Sequence, residues 1–213
     1  MILYGNSMSP FVRKTMAFAT EKGLNLELKA AGLGSTDPDF LRASPFRKMP
    51  GFSDGDFHIS DSTAIITYLE ASHPEPNLIP LEPKARARTV WYEEFADTIL
   101  AATLAKTFFN RIVSPRFLGR PGDLEAADKA EREEAPPLFA YLEGLIPASG
   151  FLVEDRLTLA DLAVASPFVN YEHAGCKVDT GAYPKTVAYV DAILGRPSFA
   201  PIVARERKFF AAA

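Results

Sequence analysis

Ser9-Pro10 follows directly on the short apolar run Ile2 to Tyr4, and Phe11, Thr15, Phe18 and Ala19 then recur at helical spacing. A serine followed by proline reads as a helix start, because serine caps and proline suits the first turn, where its missing N–H is not needed. Such a terminus carries partial positive charge and unpaired N–H groups, so an anion placed there is stabilised. A serine hydroxyl at that end can donate to a thiolate. Donor and helix terminus together favour the ionised form of a thiol whose free pKa is about 8.5, with no adjacent base required. Two roles stay open for Ser9: helix cap alone, or cap and thiolate stabiliser. Met8 beside it suits a flexible pocket wall.

Two further groups have chemical potential. In Arg47-Lys48-Met49-Pro50 a proline stands before a strand. An ordinary trans bond is the default, whereas a cis bond would turn the Met49 backbone outward, free to pair with an extended peptide. Asp61-Ser62 stands at the start of another helical run. The pair can simply cap that helix, or the serine hydroxyl and nearby N–H groups can hold a carboxylate while Asp61 meets an ammonium, matching an α-amino acid head group.

The elements that must position these residues follow from periodicity and punctuation. Ile2 to Tyr4 predicts a strand, Pro10 a helix start, Gly23 its end, and the alternating Leu24, Leu26 and Leu28 a second strand. Asp37-Pro38 opens a short helix, and Asp54-Gly55 reads as a two-residue hairpin turn between Gly51-Phe52 and Phe57-Ile59. Ser60 or Asp61 caps a third helix that His73-Pro74 stops. The four prolines within residues 74–83 predict a domain boundary, dividing the chain into 1–78 and 84–213. Beyond it only helix signals remain, over Lys84 to Val113, Asp123 to Leu145, Thr158 to Ala174, Tyr183 to Leu194 and a tail after Ser198. Pro136-Pro137 and Pro167 are expected to kink or interrupt their helices. Thr158-Leu-Ala-Asp161 reads as a capping box, and the charges from Asp128 to Glu134 as a solvated helix face. Phe108 and Phe109 can line a pocket or join the core, and the core is the expected place for aromatics at helical spacing.

The chain has 213 residues, 47% of them hydrophobic and 23% charged, with a formal net charge of -4. That content suffices for one or two packed cores and offers no basic footprint for nucleic acid. Every apolar run is cut by charge or proline, so no membrane span is expected. The opening residues read as strand rather than leader, so a cytoplasmic protein is expected. The single cysteine, Cys176, rules out an internal disulfide or a cysteine metal cluster, and it reads as a buried residue with nothing nearby to activate it.

With these residues in this order, 1–80 resembles the N-terminal domain of the cytosolic glutathione transferases, in the Ser-Pro-Phe form of tau-like and related bacterial members. Leu157 to Asp161, Tyr183-Pro184 and Arg196-Pro197-Ser198-Phe199 are similar to the family's C-terminal pattern. The resemblance implies a thioredoxin-like α/β domain with a mixed four-stranded sheet, followed by an all-α helical domain that forms the second-substrate pocket. It also implies a homodimer for which exposed Arg86 and Arg88 are candidate contacts, and a detoxifying transferase that conjugates glutathione to an electrophilic small molecule, without a metal. On this resemblance Ser9 contacts the sulfur, Phe11 borders it, Met49 before cis-Pro50 pairs with the cysteinyl backbone, Asp61-Ser62 holds the γ-glutamyl group and Lys48 meets the glycyl end. Gly51 departs from the family pattern and is expected to loosen its strand and weaken binding. The alternatives are a glutathione-dependent isomerase or etherase, and a non-catalytic interaction protein like the stringent starvation protein.

Overall fold

The computed structural model describes residues 1–32 and 34–211. Its first part runs β1 (Ile2–Gly5), α1 (Pro10–Glu21), β2 (Glu27–Ala30), α2 (Pro38–Ala43), β3 (Gly51–Asp54), β4 (Phe57–Ser60) and α3 (Ser62–Ser72). The strands lie in the order β2-β1-β3-β4, β1 parallel to β2 and antiparallel to β3, which pairs antiparallel with β4. This is the mixed thioredoxin-like sheet, in which α1 supplies the crossover that a parallel pair requires.

Alternation along β1 decides what covers each face. Leu3 lies opposite Phe52, and both pack with Val12 and Phe18 of α1 and Ile65 and Leu69 of α3. Tyr4 points the other way, onto Phe40 and Ala43 of α2. Two boundaries differ from the sequence reading. β2 starts at Glu27 rather than Leu24, because the Leu24 N–H is taken by the Ala19 carbonyl at the exit of α1 (2.8 Å). The hairpin loop is Gly55-Asp56 rather than Asp54-Gly55: Asp54 pairs with Phe57, and its carboxylate accepts from the Tyr68 hydroxyl (2.8 Å), which holds it in the strand.

The second part is helical. α4 covers residues 83–117, with α-helical turns over Pro83–Glu94, Ala101–Phe108 and Ser114–Phe117 joined by wide π-type turns at Phe95–Leu100 and Phe109–Val113. α5 covers 124–145, where another wide turn, Ala130–Glu134, precedes Pro136-Pro137 and adjusts the bonding that these prolines cannot join. α6 (Leu159–His173), α7 (Pro184–Leu194) and α8 (Ala200–Ala211) complete the chain. α6 is not interrupted at Pro167. Every residue from Leu159 to Tyr171 is buried, and packing on all sides of a central helix outweighs a local cost of about 3 kcal/mol. One apolar core runs from Leu3 and Ile65 through Leu100 to Leu162 and Phe168, so the sheet and the helices share it. Among the described residues no helix is long and apolar enough to cross a membrane.

Candidate functional site

The turn that carries Ser9 depends on close packing at the end of β1. A side-chain carbon on Gly5 would stand 2.5 Å from Val12 Cγ2, so only glycine lets α1 fold back onto the strand end there. The Ser9 N–H donates to the Asn6 carbonyl (2.9 Å) and the Ser9 carbonyl accepts from the Arg13 N–H (3.0 Å). Ser9 is thus the N-cap by its backbone, yet its side chain makes no capping bond. Ser9 is half-buried and lines an apolar cavity of about 480 Å³ whose walls also include Met8, Leu104, Phe108, Phe109 and Phe117. Phe108 is in the core as expected and also lines this cavity, whereas Phe109 lines the cavity and is 38% exposed. At the widened turn Phe109–Val113, helical spacing was a poor guide to which face is covered.

A groove of about 910 Å³ adjoins the cavity and is lined by Phe11, Lys48, Asp61, Ser62, Thr63 and Asp97 among others. Met49 lines both spaces and forms their shared wall. The Met49–Pro50 bond is cis. No hydrogen bond uses the Met49 backbone among the described residues, whereas the Pro50 carbonyl accepts from the Asp61 N–H (3.3 Å) and ties this segment to the start of α3. Lys48 is exposed, while its backbone is bracketed by the Ser44 hydroxyl. Asp61 caps α3 with one oxygen, accepting from Thr63 N (2.9 Å) and Ala64 N (3.2 Å), and its other oxygen accepts no bond among the described residues. The Ser62 hydroxyl is in a buried residue and has no partner among the described residues. Met8 and Ser9 thus border the cavity, Phe11, Lys48, Asp61 and Ser62 border the groove, Met49 borders both, and Pro50 is buried.

Gly51 pairs with Tyr4 and Ser60, and a side-chain carbon on it would stand 3.2 Å from Ala43 Cβ, so glycine gives α2 room against β3.

Several side chains behind the site had no signal in the sequence. Buried Lys14 pairs with Glu93 and Asp97 of α4, and Glu93 also accepts from the Thr63 hydroxyl (2.9 Å), so α1, α3 and α4 meet under the groove. Burial raises the Asp97 carboxyl above its ordinary range, against the opposing pull of Lys14. On the cavity side, Asn170 and Ser166 of α6 reach the Ser9 turn. Cys176 is buried as expected but not without neighbours: the Arg111 guanidinium lies 3.0 Å from its sulfur. Burial, with Glu131 nearby, still pushes the thiol up to about 11. Asp128 and Glu131, read as a solvated face, are engaged by Arg111.

Sheet, helical domain and site define a thioredoxin-like domain joined to an all-α partner across an apolar cavity. Models of the glutathione S-transferase N-terminal domain and C-terminal domain match residues 3–77 and 95–197. Over 95% of its length the chain is 31% identical to a glutathione S-transferase of Hyoscyamus muticus, covering 97% of that protein. It is 28% identical to glutathione S-transferase theta-3 of Mus musculus over 92% of this chain and 84% of that one. A solved glutathione S-transferase from Rhodospirillum rubrum superposes with a TM-score of 0.84 at 25% identity, covering 94% of this chain and 90% of that chain. The chain belongs to the glutathione S-transferase family.

Proposed function

We propose that this enzyme conjugates glutathione to an apolar electrophile. The tripeptide lies along the groove, and its thiolate is held by Ser9 at the mouth of the apolar cavity. The observation that carries this reading is the Ser9 side chain itself, which sits at a helix N-terminus on a cavity wall and is not used for capping. A hydroxyl and helix terminus aimed at one point favour a thiolate there, the thiol proton passing to solvent. The sulfur lone pair then forms the carbon–sulfur bond to the electrophile, whose leaving group departs with its bonding electrons. Asp61 and Ser62 receive the γ-glutamyl head group, the free Met49 backbone pairs with the cysteinyl unit, Phe11 borders the peptide and exposed Lys48 meets the glycyl carboxylate. Met8, Phe108 and Phe109 wall the electrophile's pocket. Disulfide reduction through a mixed disulfide needs a sulfur where this chain has Ser9. The same reading includes a cytoplasmic homodimer acting in detoxification, with exposed Arg86 and Arg88 available to a second copy.

The test is the thermal midpoint with and without glutathione, for the native chain and for Asp61→Ala with Ser62→Ala. A hundredfold excess over the dissociation constant adds about 2.7 kcal/mol to a protein that binds only when folded. A native shift that the double variant loses supports the site; no shift in either protein would transfer the chain to the non-catalytic reading. Ser9→Ala is expected to lower kcat about a hundredfold, the usual scale for losing one donor to a developing or resident anion.

A further inference from the structure

We infer that Asn170 and Ser166, held by the buried Arg13, are positioning residues for Ser9, an inference that rests on the thiolate role proposed above. Ser9 lies between two carbonyls, those of Met8 and Pro10, and α6 takes hold of both. Asn170 Nδ2 donates to the Met8 carbonyl (2.7 Å), and Ser166 Oγ donates to the Pro10 carbonyl (2.7 Å). Each bond joins residues more than 150 positions apart and crosses from the helical domain to the thioredoxin-like one.

Arg13 sets the orientation of both donors. Its Nη1 donates to Asn170 Oδ1 (3.1 Å) and to the Ser166 carbonyl (2.8 Å), and its Nη2 donates to Glu206 of α8 (2.8 Å). A guanidinium only donates, so the oxygen of the Asn170 amide must face Arg13 and its NH2 must face Met8. The amide cannot turn over without losing both bonds. Pro167 lies between the two clamping residues and itself lines the cavity beside Ser9, as does Asn170.

Stability alone is a poor account of this cluster. Among the described residues Arg13 Nε and Glu206 Oε1 are buried without a partner, and a buried ion pair left incompletely satisfied contributes little over an apolar packing of the same volume. What the cluster does supply is a fixed backbone on either side of Ser9. With the flanking carbonyls held, the hydroxyl stays turned to the cavity rather than back onto the α1 N–H groups, where a serine cap ordinarily bonds. The helical domain therefore contributes to thiolate stabilisation as well as to the second-substrate pocket.

The experiment is a double-mutant cycle with Ser9→Ala and Asn170→Ala, read by the pH titration of the glutathione thiolate bound to the protein, followed by its ultraviolet absorbance, and by kcat and KM for a chromogenic aryl halide. Asn170→Ala alone should lower kcat about tenfold and raise the bound thiol's pKa by about one unit, with the KM for glutathione within about twofold of native. In the Ser9→Ala background the same substitution should change neither quantity further, because it acts through a hydroxyl that is no longer there. Equal effects in both backgrounds, or an unchanged thiol pKa in Asn170→Ala, would overturn the inference. Should Asn170→Ala fail to fold, Ser166→Ala removes the other carbonyl bond and is read in the same way. If Ser9→Ala itself leaves kcat and the thiol pKa unchanged while glutathione still binds, the thiolate role of Ser9 falls and takes this inference with it, an outcome distinct from failure of Asn170 alone.

Discussion

At the scale of single residues, the site divides labour between atoms of one side chain or between side chain and backbone. Ser9 caps α1 with its carbonyl, leaves its hydroxyl out of the cap and lines the cavity; Asp61 caps α3 with one carboxylate oxygen and leaves the other. The cap and ligand readings of these residues therefore need not compete. Cys176 illustrates the opposite situation, a reactive group that its surroundings silence. Its thiol is pushed up to about 11 by burial and by Glu131, although Arg111 adjoins the sulfur. Against a free thiol near 8.5, the thiolate fraction at neutral pH falls on the order of a few hundredfold. Alkylation of the native protein at neutral pH should be slower by at least that factor than in urea, and its completion should leave transferase activity unaltered. Labelling at the unfolded rate would refute the burial argument. Local preferences marked the candidate residues as caps and a proline before a strand, and the family resemblance supplied their candidate roles. The partners of Arg13, Lys14 and Cys176 were not, since nothing within a helical turn of each residue marks them.

At the scale of elements, α6 is the member on which the others depend. It is buried along nearly its whole length and starts at a box in which Asp161 accepts from Thr158 N (2.9 Å), from Leu152 N (2.9 Å) and from the Tyr189 hydroxyl (3.1 Å). Burial raises the Asp161 carboxyl above its ordinary range against these bonds, so the carboxylate is held at a cost and all its acceptor capacity is in use. Asp161→Asn turns one acceptor oxygen into a donor facing other donors, and should cost about 2–4 kcal/mol. The check is the denaturation midpoint, and a loss below about 1 kcal/mol would mean the helix start relaxes around the change. Helix starts were the most readable elements, because Pro10, Asp37, Asp61 and Thr158 each act within three or four residues. The wide turns of α4 and the beginning of β2 were not readable, because packing across the molecule selects them.

At the scale of the whole molecule, α8 closes over α1 through the Arg13–Glu206 pair, with His173 also bonded to the same Glu206 oxygen (3.2 Å). Burial pushes the Glu206 carboxyl upward, but His173 and Arg13 outweigh it and hold it below the ordinary carboxylate range. A depressed carboxyl contributes stability that is present above its unfolded pKa and lost as pH falls through the folded value. The native chain should therefore lose stability on the acid side partly through this group, and Glu206→Gln should flatten that limb while costing about 3 kcal/mol at neutral pH, where Arg13 is left without its counter-charge. Midpoints measured from pH 7 down to the onset of acid unfolding check both statements. An unchanged pH dependence in Glu206→Gln would mean that the pair carries none of it.

The order of strands and helices, their caps and the residue types that border the site all follow from short-range chemistry: alternation, proline, glycine and a few polar side chains acting on neighbouring backbone. That chemistry was sufficient for the order of strands and helices, whereas the thioredoxin-like fold and the candidate set Ser9, Met49, Asp61 and Ser62 were read from the family resemblance that these residues carry. Tertiary structure decided between core and cavity for Phe108 and Phe109, and it alone showed that Gly51 lies close against α2 and that Asn170 and Ser166 grip the turn around Ser9. These are contacts between groups far apart in the chain. Their partners are chosen by how helices pack around α6, and no local preference of either residue encodes that choice.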